Sequence, residues 1–66
     1  MKYIGWISSE KRHNWESVYY GPSIQDAKLE IRNIALSETW QKWYGEKAIG
    51  RITTNAKQRV IEEFEV

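Results

Sequence analysis

Cysteine is absent from this chain of 66 residues, and proline and histidine each occur once. Without cysteine the protein has no disulfide and no thiolate metal ligand, and a single histidine, His13, is too little for a zinc site. No apolar run approaches the roughly 20 residues of a membrane-spanning helix. We therefore expect no metal, no cofactor and no membrane partner, and stability that comes from core packing or from association of copies.

An excess of charge of one sign is also missing. Ten Lys and Arg residues are balanced by nine Asp and Glu residues, and the two signs are interspersed along most of the chain. A dedicated nucleic-acid module usually shows a basic stripe, and a mimic of DNA would be strongly acidic. Residues 1–6 lack the charged start and long apolar stretch of a signal peptide. We expect a cytoplasmic protein for which nucleic acid is the second choice of partner.

Large aromatic residues are what the chain has in excess, with four Trp and four Tyr. A domain of this size buries only about 60% of the surface that its unfolded chain exposes. Some of these rings should therefore remain exposed. Exposed aromatic side chains at the centre of a patch are typical anchors of protein interfaces.

The pattern of apolar residues predicts a single α+β domain over residues 1–66, in the order ββαββ. Short β-favouring runs and period-two alternation mark four strands, the first two joined as a hairpin. The predicted strands are 2–8, 15–20, 48–54 and 58–66. We expect an antiparallel sheet of three or four strands with one long helix packed on one face.

The helix is predicted over about residues 24–44. Ser23 is a favourable N-cap, Asp26 suits the first turn, and Gly45 is a plausible stop. Such a helix would be about 30 Å long, comparable to the diameter of the whole domain. Either it overhangs the sheet, or Ser37 begins a second short helix. We favour a continuous or slightly kinked helix.

Two apolar stripes run along this predicted helix. The first consists of Ile24, Ala27, Ile31, Ile34 and Ala35. The second consists of Leu29, Leu36, Trp40 and Trp43, which project within about 60° of one another on a continuous helix. Both stripes could belong to one wide buried face. Alternatively, the second binds a partner, either a foreign protein or a second copy in a homodimer, and its four residues are our predicted partner-binding site.

Basic residues near the first hairpin and on the helix suggest contacts at the rim of an interface or with phosphate. Lys11 and Arg12 fall in the loop between the first two strands, and Lys28 and Arg32 are spaced four apart on the helix. Exposed strand aromatics such as Trp15 and Tyr19 could stack nucleic-acid bases between such charges. This is the alternative hypothesis, a small nucleic-acid-binding domain.

Catalysis has little support in the sequence. His13 stands beside Lys and Arg in a polar loop, where a solvated side chain is the simplest interpretation. Glu62, Glu63 and Glu65 are better explained as a charged edge strand that resists aggregation than as catalytic carboxylates. No glycine motif for binding phosphate occurs. We expect that the protein is not an enzyme and has no catalytic or metal-ligating residues.

Residues 20–28 (YGPSIQDAK) and 48–52 (AIGRI) resemble a pattern in small phage-encoded accessory proteins. These include several anti-CRISPR proteins and small phage inhibitors of host RNA polymerase, which place a helix opening with Ser after a strand and then return to a strand. The resemblance covers framework positions, so it transfers no binding residue. It implies a small α+β inhibitor that blocks a host complex by occupying its surface.

Overall fold

This computed structural model describes residues 1–9, 14–44 and 47–66, which contain four strands and two helices. In chain order they are β1 (Tyr3–Ser9), β2 (Glu16–Gly21), α1 (Ile24–Ala35), α2 (Glu38–Tyr44), β3 (Ala48–Thr54) and β4 (Val60–Glu65). All strand pairs are antiparallel, and the spatial order is β2-β1-β3-β4. The fold is therefore α+β, as predicted, with β1 and β3 at the centre of the sheet.

The four predicted strands are confirmed with small shifts at their ends. β3 occupies the predicted residues, whereas β1 and β2 each lie one residue later than predicted. β4 begins at Val60 rather than at residue 58, because a turn over 55–57 is followed by Gln58 with a φ of 50°. That left-handed conformation does not occur in a regular strand.

The prediction of one long helix was wrong, and the helical region has a break at Leu36 and Ser37. Leu36 is the C-cap of α1, with a φ of −91° and a ψ of −1°. The Ser37 hydroxyl accepts a hydrogen bond from the Trp40 N–H at 3.2 Å and donates one to the carbonyl of Ile34 at 2.7 Å. Ser37 thus caps α2 instead of continuing α1. The alternative with a second short helix is confirmed, and the observed order is ββααββ.

Both helices are short. α1 has 12 residues and α2 has seven. The start of α1 agrees with the prediction, because the Ser23 hydroxyl accepts a hydrogen bond from the Asp26 N–H at 3.1 Å. Across the described ranges, neither helix is long and apolar enough to span a membrane.

The core lies between one face of the sheet and the two helices. The first predicted stripe of α1 is confirmed as the face that packs on the sheet, since Ala27, Ile31 and Ala35 are buried and Ile24 and Ile34 pack against them. The other buried apolar residues are Ile7, Trp40, Ala48 and Ile52. Neither helix covers the opposite face of the sheet, which we call the open face.

Gly50 leaves room for α1 and for the Phe64 ring of β4 to pack on the centre of the sheet. A Cβ atom at this position would lie 2.7 Å from the Phe64 ring and 2.9 Å from Cγ2 of Ile31. Real Cβ atoms do not tolerate such distances, so any larger residue would push the ring or the helix outward. The absence of a side chain at Gly50 therefore sets the spacing of the two layers.

Candidate interaction surfaces

The helix break separates the four residues that we predicted to bind a partner. Trp40 is only 6% exposed and belongs to the core, whereas Trp43 is 73% exposed and Leu36 is 70% exposed. Leu29, at 56%, lies on α1, away from its buried residues. The predicted stripe required a continuous helix, and α2 instead turns Trp40 inward and leaves Trp43 in solvent.

An open groove lies beside Trp43, where α2 approaches α1 and the start of β2. Its volume is about 390 Å³, and it is lined by Glu16, Ile34, Ser37, Thr39, Trp40 and Trp43. The lining is mixed, with two indole rings and one aliphatic side chain beside two hydroxyls and one carboxylate. Such a groove offers an apolar surface with a polar and acidic rim. We call Leu36, Trp43 and this groove the α2 surface.

The basic residues predicted on the helix do not form a free basic edge. Lys28 forms an ion pair with Glu62, and its Nζ lies 5.8 Å from the centroid of the Phe64 ring. It thus fastens α1 to β4. Arg32 is exposed in the last turn of α1, and Lys11 and Arg12 lie outside the described residues.

The open face of the sheet carries an aromatic cluster that is fastened by polar contacts. The guanidinium carbon of Arg51 lies 4.0 Å from the centroid of the Trp15 ring, a cation–π distance. The same guanidinium binds Oε2 of Glu63, with two N–O distances of 2.9 Å. Trp6 donates from Nε1 to the Thr53 hydroxyl at 2.9 Å. These contacts orient both indole rings on the face that the helices leave uncovered.

Trp15 and Tyr19 do not form the stacking pair that the sequence suggested. In a regular strand their spacing would place them on one face, but the register of β2 shifts so that Tyr19 pairs with Gly5 and Ser17 pairs with Trp6. This bulge turns Tyr19 toward the helix side, where its hydroxyl accepts a hydrogen bond from the Ser23 N–H at 3.2 Å. An inserted residue reverses the side-chain direction that follows it.

Trp6 separates two shallow hollows on the open face. One hollow, of about 330 Å³, lies between β1 and β2 and is lined by Ile4, Trp6, Ser17, Val18, Tyr19 and Tyr20. The other, of about 240 Å³, is lined by Trp6, Trp15, Arg51, Thr53, Gln58 and Val60. We call the second one the tryptophan hollow.

A third surface, which sequence reasoning missed, lies at the turn between β3 and β4. A cavity of about 620 Å³ is lined there by Met1, Lys2, Thr54, Asn55, Ala56, Lys57 and Arg59. The turn is held by the Thr54 N–H, which donates to the Arg59 carbonyl at 3.0 Å, and by the Arg59 N–H, which donates to the Thr54 hydroxyl at 3.2 Å. The Asn55 N–H also donates to the carbonyl of Lys2 at 3.0 Å. The spacing of Lys57 and Arg59 was the available signal, but only pairing of β1 with β3 brings Lys2 to them. We call this the basic cavity.

Among residues 1–9, 14–44 and 47–66, no three His, Asp or Glu side chains are grouped so that they could hold a metal ion.

Comparisons with known proteins leave the family of this chain open. No protein-family model, no curated protein and no solved structure matches the chain.

Proposed function

We propose that this protein is a non-enzymatic interaction module that binds a protein partner through its α2 surface. The observation that carries the proposal is the exposure of Trp43, 73% of which is in solvent although the neighbouring Trp40 is buried. Tryptophan is the residue type most enriched among side chains that dominate binding energy. Leu36, 70% exposed, adds a second apolar anchor at the C-cap of α1, just before α2 begins.

The physical case rests on what a partner would remove from water. Burying a large apolar side chain is worth roughly 1.5–3 kcal/mol, so covering Trp43 and Leu36 together gives a substantial driving force. The groove beside Trp43 can receive an apolar side chain of the partner, and Glu16 at its rim favours a basic residue next to it. The resemblance to phage accessory proteins supports a host complex as the partner, blocked by steric occupation.

Affinity capture with matched variants tests the proposal. The wild-type protein, a Leu36→Ser/Trp43→Ser variant and a control variant are each immobilised and exposed to the same bacterial lysate. The control, Tyr20→Thr/Ile61→Thr, removes two exposed apolar side chains from the sheet instead. Loss of an anchoring Trp typically costs about 2 kcal/mol or more, so the first variant should bind at least about 30-fold more weakly.

Stability and self-association decide how the result is interpreted. Urea unfolding should give similar free energies for all three proteins, because the substituted side chains are exposed. Sedimentation at several concentrations identifies a second copy of the chain as the partner if the mass rises for the wild type and not for the variant. Equal capture by the wild type and the Leu36→Ser/Trp43→Ser variant, together with unchanged monomeric sedimentation, would refute the α2 surface as an interface.

A further inference from the structure

The basic cavity concentrates positive charge that the rest of the molecule does not neutralise. Lys2, Lys57 and Arg59 line it, and no Asp or Glu is among its lining residues. Within the described ranges none of the three side chains forms an ion pair, whereas Lys28 and Arg51 each bind a glutamate. A chain with a net charge of +1 thus keeps three unpaired cations around a single cavity. Their mutual repulsion favours an anion between them.

The tryptophan hollow adjoins this cavity along two stretches of chain. Thr53 lines the hollow and Thr54 lines the cavity, and the same holds for Gln58 and Arg59. Because successive residues of a strand point to opposite faces, the hollow and the cavity meet around the end of the sheet, at the turn between β3 and β4. A flexible ligand that bends around this end could place charged groups in the cavity and planar groups against Trp6 or Trp15. Cationic side chains beside aromatic rings are the arrangement that binds single-stranded nucleic acid, with phosphates on the charges and bases on the rings.

We propose that the basic cavity and the tryptophan hollow form a binding site for single-stranded nucleic acid. Lys2, Lys57 and Arg59 contact backbone phosphates, and the indole rings of Trp6 and Trp15 stack against one or two bases. Arg51 and Glu63 hold the Trp15 ring in place rather than contacting phosphate, since the guanidinium is already paired. This site is separate from the α2 surface and goes beyond the proposed protein interaction.

A single strand suits the site better than a duplex or an acidic protein. The faces of duplex bases are stacked on one another, so they cannot reach the rings of a shallow hollow. An acidic peptide such as polyglutamate could fill the basic cavity, but its carboxylate side chains offer no rings that stack on the indoles of the tryptophan hollow. Phosphate alone would likewise leave the aromatic half of the site unused.

Fluorescence anisotropy with a labelled oligothymidylate of about 15 nucleotides tests the proposal. Three phosphate contacts on a single strand predict a slope of about −2 for log K against log salt, a loss of roughly 20-fold between about 50 and about 200 mM salt. The Lys57→Gln/Arg59→Gln variant keeps one contact, so its slope should fall to about −0.7. Urea unfolding of this variant checks that the fold is retained.

The matched control removes the same amount of positive charge from another part of the surface. Lys42→Gln/Lys47→Gln removes two exposed cations outside the cavity and lowers the net charge equally. It should keep the wild-type slope, within the error of the titration. Equal losses in both double variants would show that binding follows net charge alone, and no measurable binding of the strand at low salt would show that the site does not exist. Either result overturns the proposal.

Competitor molecules distinguish the possible sources of the anion. An abasic strand of the same length should bind at least about fivefold more weakly, because it lacks the stacking of bases. The intact strand should also quench tryptophan fluorescence, and inorganic phosphate should not displace it at equal phosphate concentration. Equal binding of the abasic strand, of the duplex or of polyglutamate would assign the cavity to polyanions in general or to an acidic protein, and would overturn the assignment to single-stranded nucleic acid.

Discussion

The two faces of the sheet differ in how they are packed. Beneath the helices, small residues such as Gly50 and Ala27 let the layers approach, and aliphatic side chains such as Ile31 fill the space. On the open face, indole rings are held by polar and cation–π contacts, such as the bond from Trp6 to Thr53. The difference indicates that the covered face determines stability, whereas the open face and the outer side of α2 remain available for binding.

The largest expected effect is at Trp40. Replacing this buried ring by alanine leaves a cavity between α2 and the sheet, and such substitutions cost about 3–5 kcal/mol in the free energy of unfolding. Trp43→Ala should change that free energy by no more than about 0.5 kcal/mol. Urea unfolding of the two variants measures the contrast, and similar losses at both positions would remove the distinction between a core ring and a surface ring.

Gly50→Ala tests how tightly the covered face is packed. The added methyl group would meet the Phe64 ring and Ile31 at impossible distances, so we expect a loss of about 1–3 kcal/mol. Combining it with Phe64→Leu should recover part of the loss, because the nearer of the two obstructing side chains becomes smaller. A stable single variant, with no change in thermal unfolding, would mean that the layers are less closely packed than described.

Ser37→Ala tests the break between the helices. The substitution removes the hydroxyl that accepts from the Trp40 N–H, and loss of an N-cap costs about 1 kcal/mol. Ser37→Asp, which can still cap, should retain most of the stability. The opposite result would be an alanine variant that gains helical circular dichroism and becomes more stable. In that case Ser37 alone prevents the two helices from merging, and the described orientation of Trp43 depends on this one residue.

The smallest expected effect is on the open face. A double-mutant cycle with Arg51→Met and Trp15→Leu should give a coupling of about 0.5–1 kcal/mol, as expected for a partly exposed cation–π contact. The Glu63→Gln variant serves as a control for the ion pair on the same guanidinium. A coupling of about 2 kcal/mol or more would show that the open face, too, contributes substantially to stability.

Periodicity predicted much of the fold because burial on one face imposes it. The strands and the first stripe of α1 follow period-two and period-3.6 patterns, and both are confirmed. The break at Ser37 was harder to predict, because apolar residues continue on both sides and a capping serine competes only locally. The choice between helix and break depended on whether Trp40 could reach the core, which is a property of the tertiary structure.

Bulges account for the errors in assigning residues to faces. One register shift in β2 separates Trp15 from Tyr19, and another between β3 and β4 pairs Val60 with Thr53 while Glu62 pairs with Ile52. In a regular strand, their spacing of two would place Val60 and Glu62 on one face. A single inserted residue leaves hydrophobic alternation almost unchanged, so bulges are not visible in it. The basic cavity was missed for a different reason, since it joins the start of the chain to the turn between β3 and β4.

The most direct test of the central claim follows the tryptophan rings themselves during binding. Fluorotryptophan labelling gives one NMR signal for each ring, and Trp40→Phe and Trp43→Phe variants assign the two on α2. A soluble paramagnetic probe should broaden the Trp43 signal in the free protein and leave the Trp40 signal sharp, and the captured partner should protect Trp43. A Trp43 signal that is already protected in the free monomer, or that stays accessible in the complex, would contradict the account.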